Sequence, residues 1–193
     1  MKKDLPKKVN GYYKFEDYEM FKPNLSPVDV LKMGSFGGTY FRPIYSNVTN
    51  KNYKNRYTKC LPKQFLDSMS KEQIKNKLAR PFEEYDISIN KYKVKCGQTI
   101  EQWENKNWIT KHDPYGWFEW YCNFFNGRRI KEEDERQIKR WQNLASDNGR
   151  FKKRLVNMIK KSSKDYNDIS ISPVIRQTLQ HWGIKITKRD VTK

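Results

Sequence analysis

Acidic residues are scarce beside basic ones: 22 Asp+Glu stand against 40 Lys+Arg, leaving a net charge of +18. A small domain stays soluble with a net charge of about 2 to 8, so the surplus points to an anionic partner. Charge alone admits nucleic acid, an anionic membrane surface or an acidic protein. No apolar run of about 18 residues occurs, so no membrane-spanning helix is expected. No membrane partner is expected either, because the apolar stripe of the basic segment 150–164 is better accounted for as core packing against 117–125. The opening MKKDLPKKVNGYY is basic and has no apolar h-region, unlike a secretory signal. Cysteine is limited to Cys60, Cys96 and Cys122, neither an even framework nor a C-x-x-C pair, which fits a reducing compartment. An intracellular protein is therefore expected, in cytoplasm or nucleus, or in a virion if the source is viral.

Other absences narrow the chemistry. A zinc site would have to draw on Cys60, Cys96, Cys122, His112 and His181, whose long intervals contain no paired ligands, so no metal is expected. Neither a Walker loop nor G-x-G-x-x-G occurs, and no cofactor is expected. No C2H2 finger, leucine zipper or RNP motif is present either.

What is present is aromatic bulk in a polar chain: aromatic residues make up 15% although mean hydropathy is -1.05. The 193 residues suffice for one core. The chain is organised around residues 108–141, which hold four of the six tryptophans. Apolar positions 117, 118, 121, 124 and 125 follow a helix period with a wide buried face. Asp113 before Pro114 reads as the N-cap of that helix, and Gly127 as its stop. Arg128 and Arg129 follow, placed by the turn. A second helix begins at Lys131, with Glu132, Glu133, Asp134 and Glu135 near its positive end. A third follows the Asp147-Asn148-Gly149 break, with Phe151, Leu155, Met158 and Ile159 as its stripe, and a fourth covers 174–182. Between Arg128 and Lys164 stand thirteen Lys/Arg against five acids, nearly half the net surplus.

Upstream, residues 1–24 read as a basic arm in which Lys2, Lys3, Lys7 and Lys8 lie free for phosphates. Ser26-Pro27-Val28-Asp29 predicts a short helix over 27–33. In the following Gly34-Ser35-Phe36-Gly37-Gly38, glycines permit a tight turn or close approach to a ligand, and Thr39-Tyr40-Phe41 reads as a strand. Residues 46–60 read as an exposed loop, 70–79 as a helix opened by a capping box, and 85–96 as one or two strands. Thr99 opens a short helix over 99–106. The last residues, 184–193, read as a basic tail.

The stretches SPVDVLKMGSFGGTY (26–40) and HDPYGWFEWY (112–121), with Gly127-Arg128-Arg129, Glu133-Asp134 and RQIKRW (136–141), resemble an uncharacterised protein family found in bacteria, fungi, plants and giant DNA viruses. The resemblance covers about 26–42 and 103–183, through the D-P-x-G-W-F-x-W-Y and G-R-R segments. It implies that the Gly-rich stretch and the Trp-rich helix form one module, and it carries no activity. The Lys/Asn-rich insert between them is where this chain departs most.

Together these features predict an α+β fold, mostly helical, with a small antiparallel sheet from 39–45 and 85–96 and a C-terminal helical half over 108–183. One globular domain over 25–183 is expected. The expected partner is nucleic acid, DNA before RNA, held through phosphates by Arg128, Arg129, Lys139, Arg140, Lys152, Lys153 and Arg154. Tyr40 and Arg42 beside the Gly-rich turn would read a base or an end. Two rival readings remain. One is a nucleic-acid-processing enzyme, a glycosylase or nuclease, with His112, Asp113 and Glu119 as its acid-base set. The other is a structural or packaging protein that uses charge alone.

Overall fold

Short-range signals place most elements. In the computed structural model, which describes residues 5–192, two antiparallel hairpins pair β1 (Lys8–Val9) with β2 (Tyr12–Tyr13) and β3 (Ile44–Ser46) with β4 (Lys51–Tyr53). The helices are α1 (Pro27–Met33), α2 (Tyr57–Cys60), α3 (Lys63–Asp67), α4 (Lys71–Lys77), α5 (Ile100–Asn105), α6 (Trp117–Phe125), α7 (Lys131–Ala145), α8 (Arg150–Lys161), α9 (Pro173–His181) and α10 (Lys188–Thr192). The fold is thus α+β and mostly helical, with its long helices in the C-terminal half. Reciprocal capping boxes open α1 (Ser26 with Asp29), α4 (Ser70 with Gln73) and α5 (Thr99 with Gln102).

Helix α6 is the pivot: Trp117, Phe118, Trp120, Tyr121 and Phe124 are all buried. Trp141 of α7 and Leu179 of α9 join the same core, and so do Tyr40 and Phe41 from the Gly-rich stretch. The N-terminal segment enters it as well, which corrects the reading of 1–24 as an arm. Phe21 is fully buried, with its ring 5.1 Å from Trp141 and 5.4 Å from Phe124. Of the arm's lysines, Lys2 and Lys3 lie outside the described residues, while Lys8 sits on the β1–β2 hairpin.

The ends of the chain are joined. The Asn24 amide donates to the Lys185 carbonyl at 2.7 Å and accepts from the Lys185 amide at 2.8 Å. Residues 184–192 are not a free tail, since Ile184 and Ile186 are buried and α10 packs on α8.

Two other expectations are corrected. Residues 39–41 form a turn, because Gly37 and Gly38 take positive φ and the Thr39 hydroxyl donates to the Phe36 carbonyl. Residues 85–96 hold no strand but a single 3-10 turn, Ile87–Ile89, because side chains occupy the backbone groups a ladder would use. Buried Asn90 accepts from the Gly37 amide at 2.8 Å and donates to the Val94 carbonyl at 2.7 Å, and Asp86 accepts from the Ser88 amide. The Gly-rich stretch packs on this segment, so close that a Cβ on Gly34 would lie 2.0 Å from the Ile89 oxygen. Its close approach is to the protein's own backbone.

Candidate functional site

The motif preceding α6 builds an internal ionic web. Asp113 is not the N-cap of α6; Gly116 takes that position at φ 81°. The Asp113 carboxylate, 1% exposed, is held by both arms of Arg128 and by the Asn123 amide at 2.9 Å. Glu119, fully buried, accepts from the Arg56 guanidinium and from the Tyr115 amide at 2.9 Å. Burial, and then neighbouring Asp113, push the Glu119 carboxyl above its ordinary range. His112 is half-buried, and no hydrogen bond joins it to either carboxylate among the described residues. The structure therefore does not join His112, Asp113 and Glu119 into one hydrogen-bonded set: the two carboxylates are buried, each beside an arginine. A buried carboxylate needs such partners, since leaving one uncompensated costs several kcal/mol, about 3–5 when a partner is removed.

Three expected phosphate contacts are instead paired with carboxylates of the fold. Arg128 is spent on Asp113. Arg129 donates to Asp17 at 2.7 Å and to the Phe124 carbonyl at 2.6 Å, with its guanidinium 3.8 Å above the Phe124 ring. Lys152, 3% exposed, bridges Asp147 and Asp190 at 2.8 Å each. These cations are engaged within the fold, Lys152 buried and Arg128 and Arg129 part-exposed. Lys139 is exposed on α7 without an ion pair among the described residues.

The other named cations face outward, in two adjoining places. The first is a cleft of about 580 Å³ between the Gly-rich turn, the 95–103 segment, the start of α6, α7 and α9. Its wall is aromatic and cationic: Phe36, Phe82, Trp103, Trp108 and Trp182 stand beside Arg42, Lys95, Arg140 and Arg150, and no Asp or Glu lines it. Arg140 is central. Its guanidinium lies 5.0 Å from the Trp108 ring and 5.5 Å from the Trp182 ring and donates to the Gln137 side chain at 2.8 Å. No carboxylate pairs with it among the described residues. Burial, and then neighbouring Arg136, hold it down to about 10. Arg42 rests 4.8 Å above Phe82 and donates to the Thr39 carbonyl, and burial lowers it too, against the pull of Glu101. Tyr40 borders the cleft, but its hydroxyl is engaged, donating to the Tyr115 carbonyl at 2.6 Å and accepting from the Glu119 amide.

The floor is fixed by His181. Its Nε2 accepts from the Phe36 amide at 3.1 Å and lies 3.0 Å from the Gln177 side-chain nitrogen, while Nδ1 lies 3.5 Å from the Cys96 sulfur. Burial lowers this imidazole to about 3 and raises the Cys96 thiol to about 11, so both are neutral at pH 7. No group of three His, Cys, Asp or Glu able to hold a metal occurs among the described residues.

The second place is the outer face of α8, a shallow groove of about 410 Å³ formed by Arg150, Lys153, Arg154, Asn157, Met158 and Lys161. Arg150 belongs to both and joins the groove to the cleft.

Residues of the cleft that the sequence does not disclose include Lys95, Trp103, Trp108, Arg150 and Trp182. Their signal is faint: Lys95, Trp103, Trp108 and Arg150 fall on no predicted apolar stripe, and Trp182 reads as a core residue on the stripe of the last helix, with Ile175 and Leu179. No helix among the described residues is long and apolar enough to cross a membrane. No family model, curated protein or solved structure matches the chain.

Proposed function

We propose that the protein binds nucleic acid, DNA being the first polymer to test, through the outer face of α8. The observation that carries this reading is the run of exposed cations Arg150, Lys153, Arg154 and Lys161 along one groove with no carboxylate in it. Five cations elsewhere, Arg56, Arg128, Arg129, Arg136 and Lys152, are held by carboxylates. Here they are left to solvent. Cations at successive turns of a rigid helix suit phosphates, whose neutralisation releases counterions and supplies most of non-specific affinity. Asn157 and Met158 between them add little charge specificity, which fits contact to backbone more than to base edges.

The test is a gel-shift titration of labelled DNA and RNA duplexes with the wild-type chain and with Lys153→Glu/Arg154→Glu. Both substituted residues are exposed, so the fold is retained. Affinity falls by more than tenfold in the variant at moderate salt if the reading holds. Equal affinity, or no wild-type shift at low salt, overturns it.

A further inference from the structure

We propose that the aromatic cleft beside α8 holds one unpaired nucleotide of the bound strand, its base stacked on tryptophan and its phosphate against Arg140. This rests on the nucleic-acid reading of α8 and deepens it.

The cleft is rich in hydrogen-bond donors. Its donors outnumber its acceptors: besides the four cations, Gln98 and Gln102 line it with their side-chain oxygens already engaged, by the Lys106 ammonium and the Thr99 amide, which leaves their amide nitrogens to a ligand. The hydroxyls of Thr39 and Thr178 donate inward to the Phe36 and Val174 carbonyls. An occupant must therefore be rich in acceptors, and an anion is favoured because the cleft lining holds no carboxylate and nearby Glu133 is paired with Arg136, not with Arg140.

The aromatic surface adds a second requirement. Trp103, Trp108 and Trp182 are each only partly buried, whereas the other three tryptophans, Trp117, Trp120 and Trp141, are enclosed in the core. Faces of this kind take planar groups, and stacking of a base on an aromatic ring is worth about 1–3 kcal/mol. An anion joined to a flat, acceptor-rich ring is a nucleotide.

Size and position choose a strand over a free metabolite. A volume of about 580 Å³ lies within the roughly 300–1,000 Å³ of small-ligand clefts, room for one nucleotide and not for a base pair in its helix. Arg150 stands on the rim of both the cleft and the α8 groove, so a backbone lying on α8 runs directly to the cleft mouth. Unpaired ends, overhangs and single strands can deliver a nucleotide there without the unstacking that a closed duplex requires.

The experiment titrates a single-stranded oligonucleotide, a blunt duplex of the same sequence, a nucleoside 5′-monophosphate and inorganic phosphate, following tryptophan fluorescence and gel shift together. The wild-type chain binds the single strand at least tenfold more tightly than the duplex and is quenched by the strand and by the monophosphate, but not by phosphate. Arg140→Gln abolishes the quench and the strand preference while duplex affinity stays within twofold. Should Arg140→Gln fold poorly, Lys95→Gln, an exposed cation of the same cleft, lowers strand affinity three- to tenfold and leaves the duplex unaffected. A normal duplex shift with no quench and no strand preference overturns the cleft inference and leaves the α8 reading standing. No shift with either polymer at low salt overturns the α8 reading. Quenching by the monophosphate alone, without polymer binding, overturns the strand as occupant.

Discussion

Arg128 closes both arms of its guanidinium on the Asp113 carboxylate, at 2.7 and 2.5 Å, across fifteen residues of sequence. The bond ties the turn after α6 to the loop before it, so the two ends of the most aromatic helix are fastened to each other. Asp113→Asn should cost about 3 kcal/mol, because it leaves a largely buried guanidinium without its anion. Urea denaturation reads the loss, and DNA affinity measured well below the midpoint should be unchanged.

The α8 groove makes a prediction about salt. If Lys153 and Arg154 each neutralise one phosphate, their joint reversal lowers the slope of log K against log salt by at least about 1.8, from about 0.9 per phosphate. A slope that stays the same while affinity drops would mean that the substitutions act through the fold. Lys152 is the informative control, since its ammonium is turned inward to Asp190.

Lys152→Ala should therefore act on stability, not directly on binding. Burial alone would raise the Asp190 carboxyl, but Lys152 and Thr187 hold it below its ordinary value. Its contribution is thus present above the unfolded value of about 3.9 and lost as pH falls through the lower folded value. At pH 7 the variant leaves Asp190 unpaired and α10 undocks first. Hydrogen exchange should quicken by at least tenfold over 184–192 while α6 stays protected.

His181 predicts a second pH dependence, of different origin. Burial lowers its folded value to about 3, against about 6.5 in an unfolded chain. Between these the unfolded chain takes up a proton that the fold does not, so stability that is complete above pH 6.5 declines as pH falls. The slope contributed is about 1.4 kcal/mol per pH unit. Comparing denaturation midpoints at pH 7 and pH 5, His181→Gln should remove this part of the decline; a decline as steep as in the wild type would refute the assignment.

Gly34→Ala tests the close approach of the Gly-rich turn. The added Cβ would meet the Ile89 oxygen at 2.0 Å, at a φ of +94°. A cost on the order of 3 kcal/mol is expected from overpacking and left-handed strain together, read as a lowered melting temperature. Gly11→Ala, with nothing within 4 Å of the new Cβ, separates the two causes because it carries only the strain of its positive φ.

Local rules made much of this fold legible from the residues alone. The N-cap at Ser26, the capping box at Ser70, the short helix at Thr99, the period of α6 to α9 and the stop at Gly127 depend on neighbours within a turn or two, and they appear where the sequence predicts them. The basic surplus and the aromatic excess are likewise properties of composition. Which cations face solvent is not. Lys152 and Lys153 are adjacent on one helix, yet one is buried between two aspartates and the other is exposed, because Asp190 arrives from a segment 38 residues away and chooses one of them. The same holds for Asp113, whose place before Pro114 reads as a cap until Arg128 folds back on it. It holds for the cleft, whose walls come from stretches of the chain as far apart as Phe36 and Trp182. Charge and period are written locally; pairing and enclosure depend on which distant groups meet, and only the tertiary structure decides that.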